Sequence, residues 1–145
     1  MASLLRFSEA SALALHAMAR IAAARGEVLS ARTLARECRA SDAHMIKVCR
    51  RLAAGGFLRP HRDVMGGYSL ARRAGAIRLL EIYTLIEGPV VLKPCLFQDH
   101  SCAGGRRGNC VFGGTLMRFE KDILRYLQRT TLSSIAARCV SRARG

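Results

Sequence analysis

The chain has 145 residues and a mass of 15.8 kDa, half of them hydrophobic, which suits one folded domain and argues against disorder. No apolar run approaches the roughly 18 residues needed to cross a bilayer, and Glu9, Arg20 and Arg25 break the pattern of a secretory leader, so a cytoplasmic protein with no membrane role is expected. Lys and Arg number 24 against 10 Asp and Glu, a net charge of +14, and all the cations except Lys47, Lys93 and Lys121 are arginines, whose fork suits phosphates and guanine edges. A polyanionic partner follows, nucleic acid ahead of a membrane surface; an arginine-rich solvated surface is the alternative.

Ser8 is placed to cap a first helix over about Glu9–Ala24, rich in Ala and Leu and apolar on most faces, and Gly26 ends it. Ser30 and Ser41 are two more N-cap residues, opening helices Ala31–Cys38 and Asp42–Ala54, with Arg39-Ala40 between them and Gly55-Gly56 as the stop. Two short helices joined by a tight turn make a helix-turn-helix. Phe57-Leu58-Arg59 and Tyr68-Ser69-Leu70 then read as two strands of a hairpin whose tip ends in Gly66-Gly67. Helix-turn-helix plus hairpin is a winged helix; a generic helical domain with a surface hairpin would share the pattern.

Ile77–Glu87 reads as a further helix, stopped by Gly88-Pro89, and residues 90–113 as a loop. Thr115–Arg129 is a long amphipathic helix with Leu116, Phe119, Ile123 and Leu127 on one face and charged residues on the other, and Thr131 caps a last helix, Leu132–Val140. The fold class is therefore mainly α with a small β-hairpin, divided into a winged helix-turn-helix over residues 1–76 and a loop-plus-helix region over residues 77–145.

The loop holds Cys95, Cys102 and Cys110 at a spacing of C-x6-C-x7-C. Three thiols in a glycine-containing loop suit a soft metal: zinc, copper(I) or an iron–sulfur cluster. Structural zinc sites usually contain a close C-x2-4-C pair, which this loop lacks, and Lys93, Arg106 and Arg107 would favour thiolate. Unligated, redox-active thiols are the other reading. Cys38, Cys49 and Cys139 fall on helices and read as small packing residues.

Taken in order, Arg6-Phe7-Ser8-Glu9, Met45-Ile46-Lys47-Val48 with Arg51-Leu52, Gly55-Gly56-Phe57-Leu58 with Gly66-Gly67-Tyr68-Ser69-Leu70-Ala71, and Ile86-Glu87-Gly88-Pro89 before three cysteines resemble the Rrf-two family of bacterial regulators, which contains IscR and NsrR. The resemblance covers nearly the whole chain. It implies a homodimeric, non-enzymatic transcription regulator, a repressor in the first instance. Double-stranded promoter DNA would be its partner, and an iron–sulfur cluster (4Fe–4S or 2Fe–2S) would switch DNA binding. The metal ligands it implies are Cys95, Cys102 and Cys110, with Glu9 of the partner subunit as the extra ligand and His100 or His16 as alternatives. Without a metal, Glu9 reads as an acidic first-turn residue complementing the helix dipole.

The DNA contacts expected are Asp42, Ala43, His44 and Lys47 for base edges, Arg32, Arg36, Arg50 and Arg51 for phosphates, and Arg62, Gly66 and Gly67 in the wing. Leu116, Phe119, Ile123 and Leu127 are expected to form the dimer interface. Two departures stand out. The cysteine spacing is wider than the family's common C-x5-C-x5-C. The wing reads Arg62-Asp63-Val64-Met65-Gly66-Gly67, where the family usually has Arg-Gly-Arg-Gly-Gly-Gly. Two other functions stay open: a winged-helix regulator without a cluster, governed by cysteine oxidation or a partner protein, and a zinc-stabilised nucleic-acid-binding module.

Overall fold

A computed structural model describes residues 6–92 and 113–142. Three serines start the first three helices. Ser8 Oγ accepts from the Ser11 amide at 3.2 Å and opens α1 (Glu9–Ala23). Ser30 Oγ accepts from Thr33 N at 3.0 Å before α2 (Ala31–Cys38), and Ser41 Oγ from His44 N at 3.2 Å before α3 (Asp42–Ala54). Each takes up one of the amide donors that a helix start leaves unpaired. Arg39 adopts a left-handed conformation (φ 53°) at the end of α2 and turns the chain into α3.

Strands β1 (Leu58–His61) and β2 (Gly67–Leu70) pair antiparallel, Leu58 opposite Leu70 and His61 opposite Gly67. The pairing starts one residue later and runs two residues further along β1 than the apolar pattern indicates. A third piece of chain joins them: Leu29 N donates to Tyr68 O at 3.0 Å and Tyr68 N to Leu29 O at 2.9 Å. This close approach fixes residue 67 as glycine, since a Cβ there would lie 2.5 Å from the Leu29 carbonyl oxygen.

A single 3-10 turn (Ala74–Ala76) leads to α4 (Leu79–Glu87), which begins two residues after Ile77 because Glu81 reaches back to accept from Arg78 N at 2.8 Å. Helix α5 (Gly113–Arg129) turns into α6 (Leu132–Arg142), which Thr131 opens by accepting from Ser134 N at 3.3 Å. The α5–α6 turn is stitched to the entry of α4: Leu79 N donates to Thr130 O at 3.1 Å and Leu132 N to Ile77 O at 2.9 Å.

Helix α1 lies at the centre, packed on α3, α4 and α6. Its Ala14, Ala17 and Met18 are fully buried, and the small alanines let the neighbouring helices come close. One continuous core joins them to Leu34, Met45, Leu52, Ile77, Ile82 and Leu132, so it draws on chain from both sides of residue 76. Burial of this kind contributes about 1.5–3 kcal/mol for each large aliphatic side chain.

Candidate nucleic-acid interface

Helix α3 buries Met45, Val48, Cys49 and Leu52 and leaves Ala43, Lys47 and Arg50 exposed on the opposite side. Those three stand at i, i+4 and i+7, one stripe along the helix. Neither Lys47 nor Arg50 has an ion-pair partner among the described residues, and the same holds for Arg36 on α2, Arg59 on β1 and Arg62 at the hairpin tip. The helix face and the wing beside it are therefore cationic, with their charges uncommitted.

The other residues expected here divide. Arg32 Nε donates to Asp42 Oδ2 at 3.2 Å, an exposed pair that ties the start of α2 to the start of α3. His44 is half-buried, and its Nδ1 lies 3.7 Å from Glu9 Oε1, beyond hydrogen-bond reach but close enough to align the two. Arg51, exposed on the last turn of α3, is bound within the protomer. Its guanidinium donates to Leu85 O at 3.0 Å and Ile86 O at 3.1 Å, carbonyls of the last turn of α4. A cation there complements the negative end of the helix dipole. No local pattern in the sequence marks this, because the partners lie 34 and 35 residues away.

In the wing, Gly66 N donates to Asp63 O at 2.8 Å, closing the tip, and His61 Nε2 and Ser69 Oγ are hydrogen-bonded across the strands at 2.8 Å. The root of the wing is held from below, with the Arg72 guanidinium 5.4 Å from the centre of the buried Phe57 ring.

The end of α4, from which the chain leads on to Cys95, is clamped to the amino-terminal segment. Ser8 N donates to Glu87 Oε1 at 2.9 Å and Ser8 Oγ donates to the same oxygen. Tyr83 OH donates to Arg6 O at 2.9 Å, and the Phe7 and Tyr83 rings meet edge-on at 5.2 Å. Burial raises the Glu87 carboxyl, but the hydrogen bonds from Ser8 and Ser11 and the nearby Arg6 outweigh it and hold the group below the usual carboxylate range. Glu81 behaves alike: burial is outweighed by Arg78 N and by Arg72, whose Nη1 donates at 2.9 Å.

Cys95, Cys102, Cys110 and His100 lie outside the described residues. Among the described residues no three metal-binding side chains cluster. Glu9 is 73% exposed in the first turn of α1. His16 Nδ1 donates to Ala12 O at 2.7 Å, one turn back along its own helix. The Cys49 thiol is pushed up to about 11 by burial and by Cys38 beside it, so it stays protonated and inert, as a packing residue should. No helix of the described residues is long and apolar enough to cross a membrane.

On α5, Leu127 departs from the expected interface. It is 3% exposed and packs into the protomer's own core, because the helix rotates its last turns toward α4. The face left in solvent is Phe119 (61% exposed), Ile123 and Tyr126, with Leu116 half-buried before them. Residues 116, 119, 123 and 126 follow heptad spacing, which brings Tyr126 onto the same stripe as Phe119 and Ile123. Glu120, one residue from Phe119, is buried, and its Oε1 has no hydrogen-bond partner among the described residues.

A family profile described as Rrf2, iron-dependent transcriptional regulator, matches residues 7–138. The chain belongs to the Rrf2 family. Its members are transcription regulators, and the mostly helical fold with one antiparallel hairpin is the winged-helix fold of their solved structures. CymR of B. subtilis, described as its global cysteine regulator, is 21% identical, with a TM-score of 0.71, covering 92% of this chain and 98% of that one. CymR of Staphylococcus aureus is 24% identical, with a TM-score of 0.70, covering 89% and 96%. IscR of T. potens is 21% identical, with a TM-score of 0.68, covering 93% and 88%. No curated protein matches the sequence significantly.

Proposed function

We propose that this Rrf2-family regulator is a cytoplasmic homodimeric repressor. It binds double-stranded promoter DNA through α3 and the wing, and an iron–sulfur cluster of the 4Fe–4S or 2Fe–2S type switches its affinity. The uncommitted cations carry the DNA part of this reading. Lys47 and Arg50 stand on the exposed stripe of α3, with Arg36, Arg59 and Arg62 on the neighbouring elements. Paired charges would have to break their bridges before meeting phosphate; these do not. Ala43 and Lys47 are the base-edge candidates, and Arg36, Arg50 and Arg62 the backbone and groove contacts. Asp42 and Arg32 act together in fixing the start of α3, Gly67 acts by letting the wing approach Leu29, and Gly66 donates its amide to Asp63 O at the tip. The dimer would form on Leu116, Phe119, Ile123 and Tyr126. The reading keeps residues 1–76 as the DNA-binding part and residues 77–145 as the sensing and dimerising part.

The cluster would be held by Cys95, Cys102 and Cys110 with Glu9 of the partner subunit. Three thiolates and a carboxylate are a donor set that iron accepts, and the exposed Glu9 carboxylate is available to it. When bound, the group would supply a change of charge and ligation in response to redox state, nitric oxide or iron–sulfur supply. The chain's own residues would carry the response. Glu9 faces His44 in the first turn of α3, and Ser8 before it is fixed to Glu87, the last residue before Gly88 and the loop. Arg51 binds the same turn of α4 to the other end of α3. The end of α4 thus holds one end of the helix that would enter the major groove directly, through Arg51, and lies near its other end through Ser8 and Glu9. A regulator needs some such contact between its two parts.

Anaerobically purified protein tests both halves. Visible absorption with matched iron and sulfide is expected, together with duplex binding that weakens steeply with salt. Arg50→Ala should lower that salt slope by about one unit. Glu9→Ala should retain some cluster and lose its influence on DNA affinity. A colourless protein that binds DNA and responds to thiol oxidants would replace the cluster with cysteine chemistry.

A further inference from the structure

We infer that the tip of the wing is an apolar wedge: Val64 and Met65 enter the minor groove of bound DNA and part a base step. The inference rests on the reading that this chain binds duplex DNA. It goes further by assigning the tip a part in deforming that DNA.

Val64 is fully exposed and Met65 is 87% exposed, the two most exposed large apolar side chains among the described residues. They are adjacent, they form the end of a projection, and neither packs on the protomer. Scattered surface hydrophobics are ordinary; a pair at the extreme tip of a hairpin, where polar turn residues would serve folding equally well, is not. The projection is also stiff. Four residue pairs hold β1 to β2, Leu29 adds a two-bond bridge to Tyr68, Gly67 seats closely on the Leu29 carbonyl, and the Asp63–Gly66 hydrogen bond closes the tip. A wedge must be rigid at its base, since an insertion that bends the protein instead of the DNA gains nothing.

The surrounding charge selects the occupant. Arg62 directly precedes the tip, Arg59 stands exposed on β1, and α3 presents Lys47 and Arg50 on the neighbouring element. An apolar point framed by cations fits a groove floor between two phosphate rails. Asp63 makes the tip a poor phosphate clamp, which favours insertion between the strands over a contact along the backbone. Apolar side chains on minor-groove proteins act in this way, unstacking one step and kinking the duplex. Methionine suits the task because its unbranched, flexible chain fits an irregular gap.

The test uses the protein as purified and a duplex recovered by selection from a random-sequence pool, labelled at its ends for energy transfer and carrying 2-aminopurine stepped through the flanks. The wild-type protein should bring the ends closer and brighten 2-aminopurine at one step in each flank. Val64→Ala with Met65→Ala should abolish both signals and weaken binding about tenfold, with the salt slope unchanged because no phosphate contact is lost. These side chains touch nothing in the protomer, so the melting temperature should stay the same, and a Met65→Leu variant should keep most of the effect. Equal bending and equal 2-aminopurine signal in the double alanine variant would overturn the wedge while leaving DNA binding intact. Dependence on Val64 and Met65 for binding anionic vesicles, with duplex bending unaffected, would overturn it in favour of a membrane contact. Failure of the wild-type protein to bind any duplex at low salt would overturn the DNA-binding reading itself.

Discussion

Removing the Glu87 carboxylate should release the amino-terminal segment from the end of α4. Glu87 Oε1 accepts from both the amide and the hydroxyl of Ser8 in a partly buried setting. Hydrogen bonds to a charged group are worth about 1.5–3 kcal/mol each when buried, and partial exposure reduces that, so Glu87→Ala should cost about 2 kcal/mol in all. For a chain of this size that is a fall in Tm of about 4–8 °C, read by circular dichroism at one protomer concentration so that dimer linkage does not enter. Glu87→Gln keeps an acceptor oxygen and should lose about half as much. Ser8→Ala removes both donor and cap. A double-mutant cycle should therefore give a coupling of about 1–2 kcal/mol between positions 8 and 87. Additive single changes, within about 0.3 kcal/mol, would show that the pair does not act as a unit, and the link from Glu87 through Ser8 to Glu9 would fall with it.

Four further outcomes are expected. Glu81 and Glu87 both titrate below the ordinary carboxylate value in the folded chain, so unfolded molecules take up those protons first. The stability they contribute is present above the unfolded pKa, is lost as pH falls through their folded values, and should show as a lower urea midpoint at about pH 3.5 that Glu81→Gln with Glu87→Gln flattens. Arg51→Met should lower Tm without changing the salt slope of DNA binding, in contrast with Arg50→Ala; a reduced slope would show that Arg51 meets phosphate as well. Glu120→Met removes a buried carboxyl oxygen with no partner among the described residues and should raise stability by about 1 kcal/mol in urea titrations, whereas a loss would reveal a partner for it in the assembled protein. Phe119→Glu with Ile123→Glu should give a monomer by sedimentation, and an unchanged dimer would place the interface elsewhere.

Legibility in the sequence followed the range of the forces involved. Ser8, Ser30 and Ser41 could be read as helix starts because a cap bonds to an amide three residues away, and each does so in the fold. Lys47 and Arg50 could be placed on an exposed stripe because helical periodicity alone separates them from Met45, Val48 and Leu52. Arg51 could not be placed, since one residue along the same helix its fate depends on the carbonyls of Leu85 and Ile86. Leu127 failed for a related reason: a face long enough to extend from residue 116 to 127 drifts around the axis, and only the position of α4 decides where core ends and free surface begins.

The chain alone thus determined the order of helices and hairpin, the helix-turn-helix, the cationic character and the resemblance to a regulator family, all of which rest on local bonding, periodicity and composition. The tertiary structure decided which cations are uncommitted, that Leu29 completes the wing, that Glu87 holds Ser8, and that Phe119, Ile123 and Tyr126 form the free face of α5. Those facts depend on which distant backbone groups meet, and no local pattern of residues encodes a meeting between segments 30 to 80 positions apart.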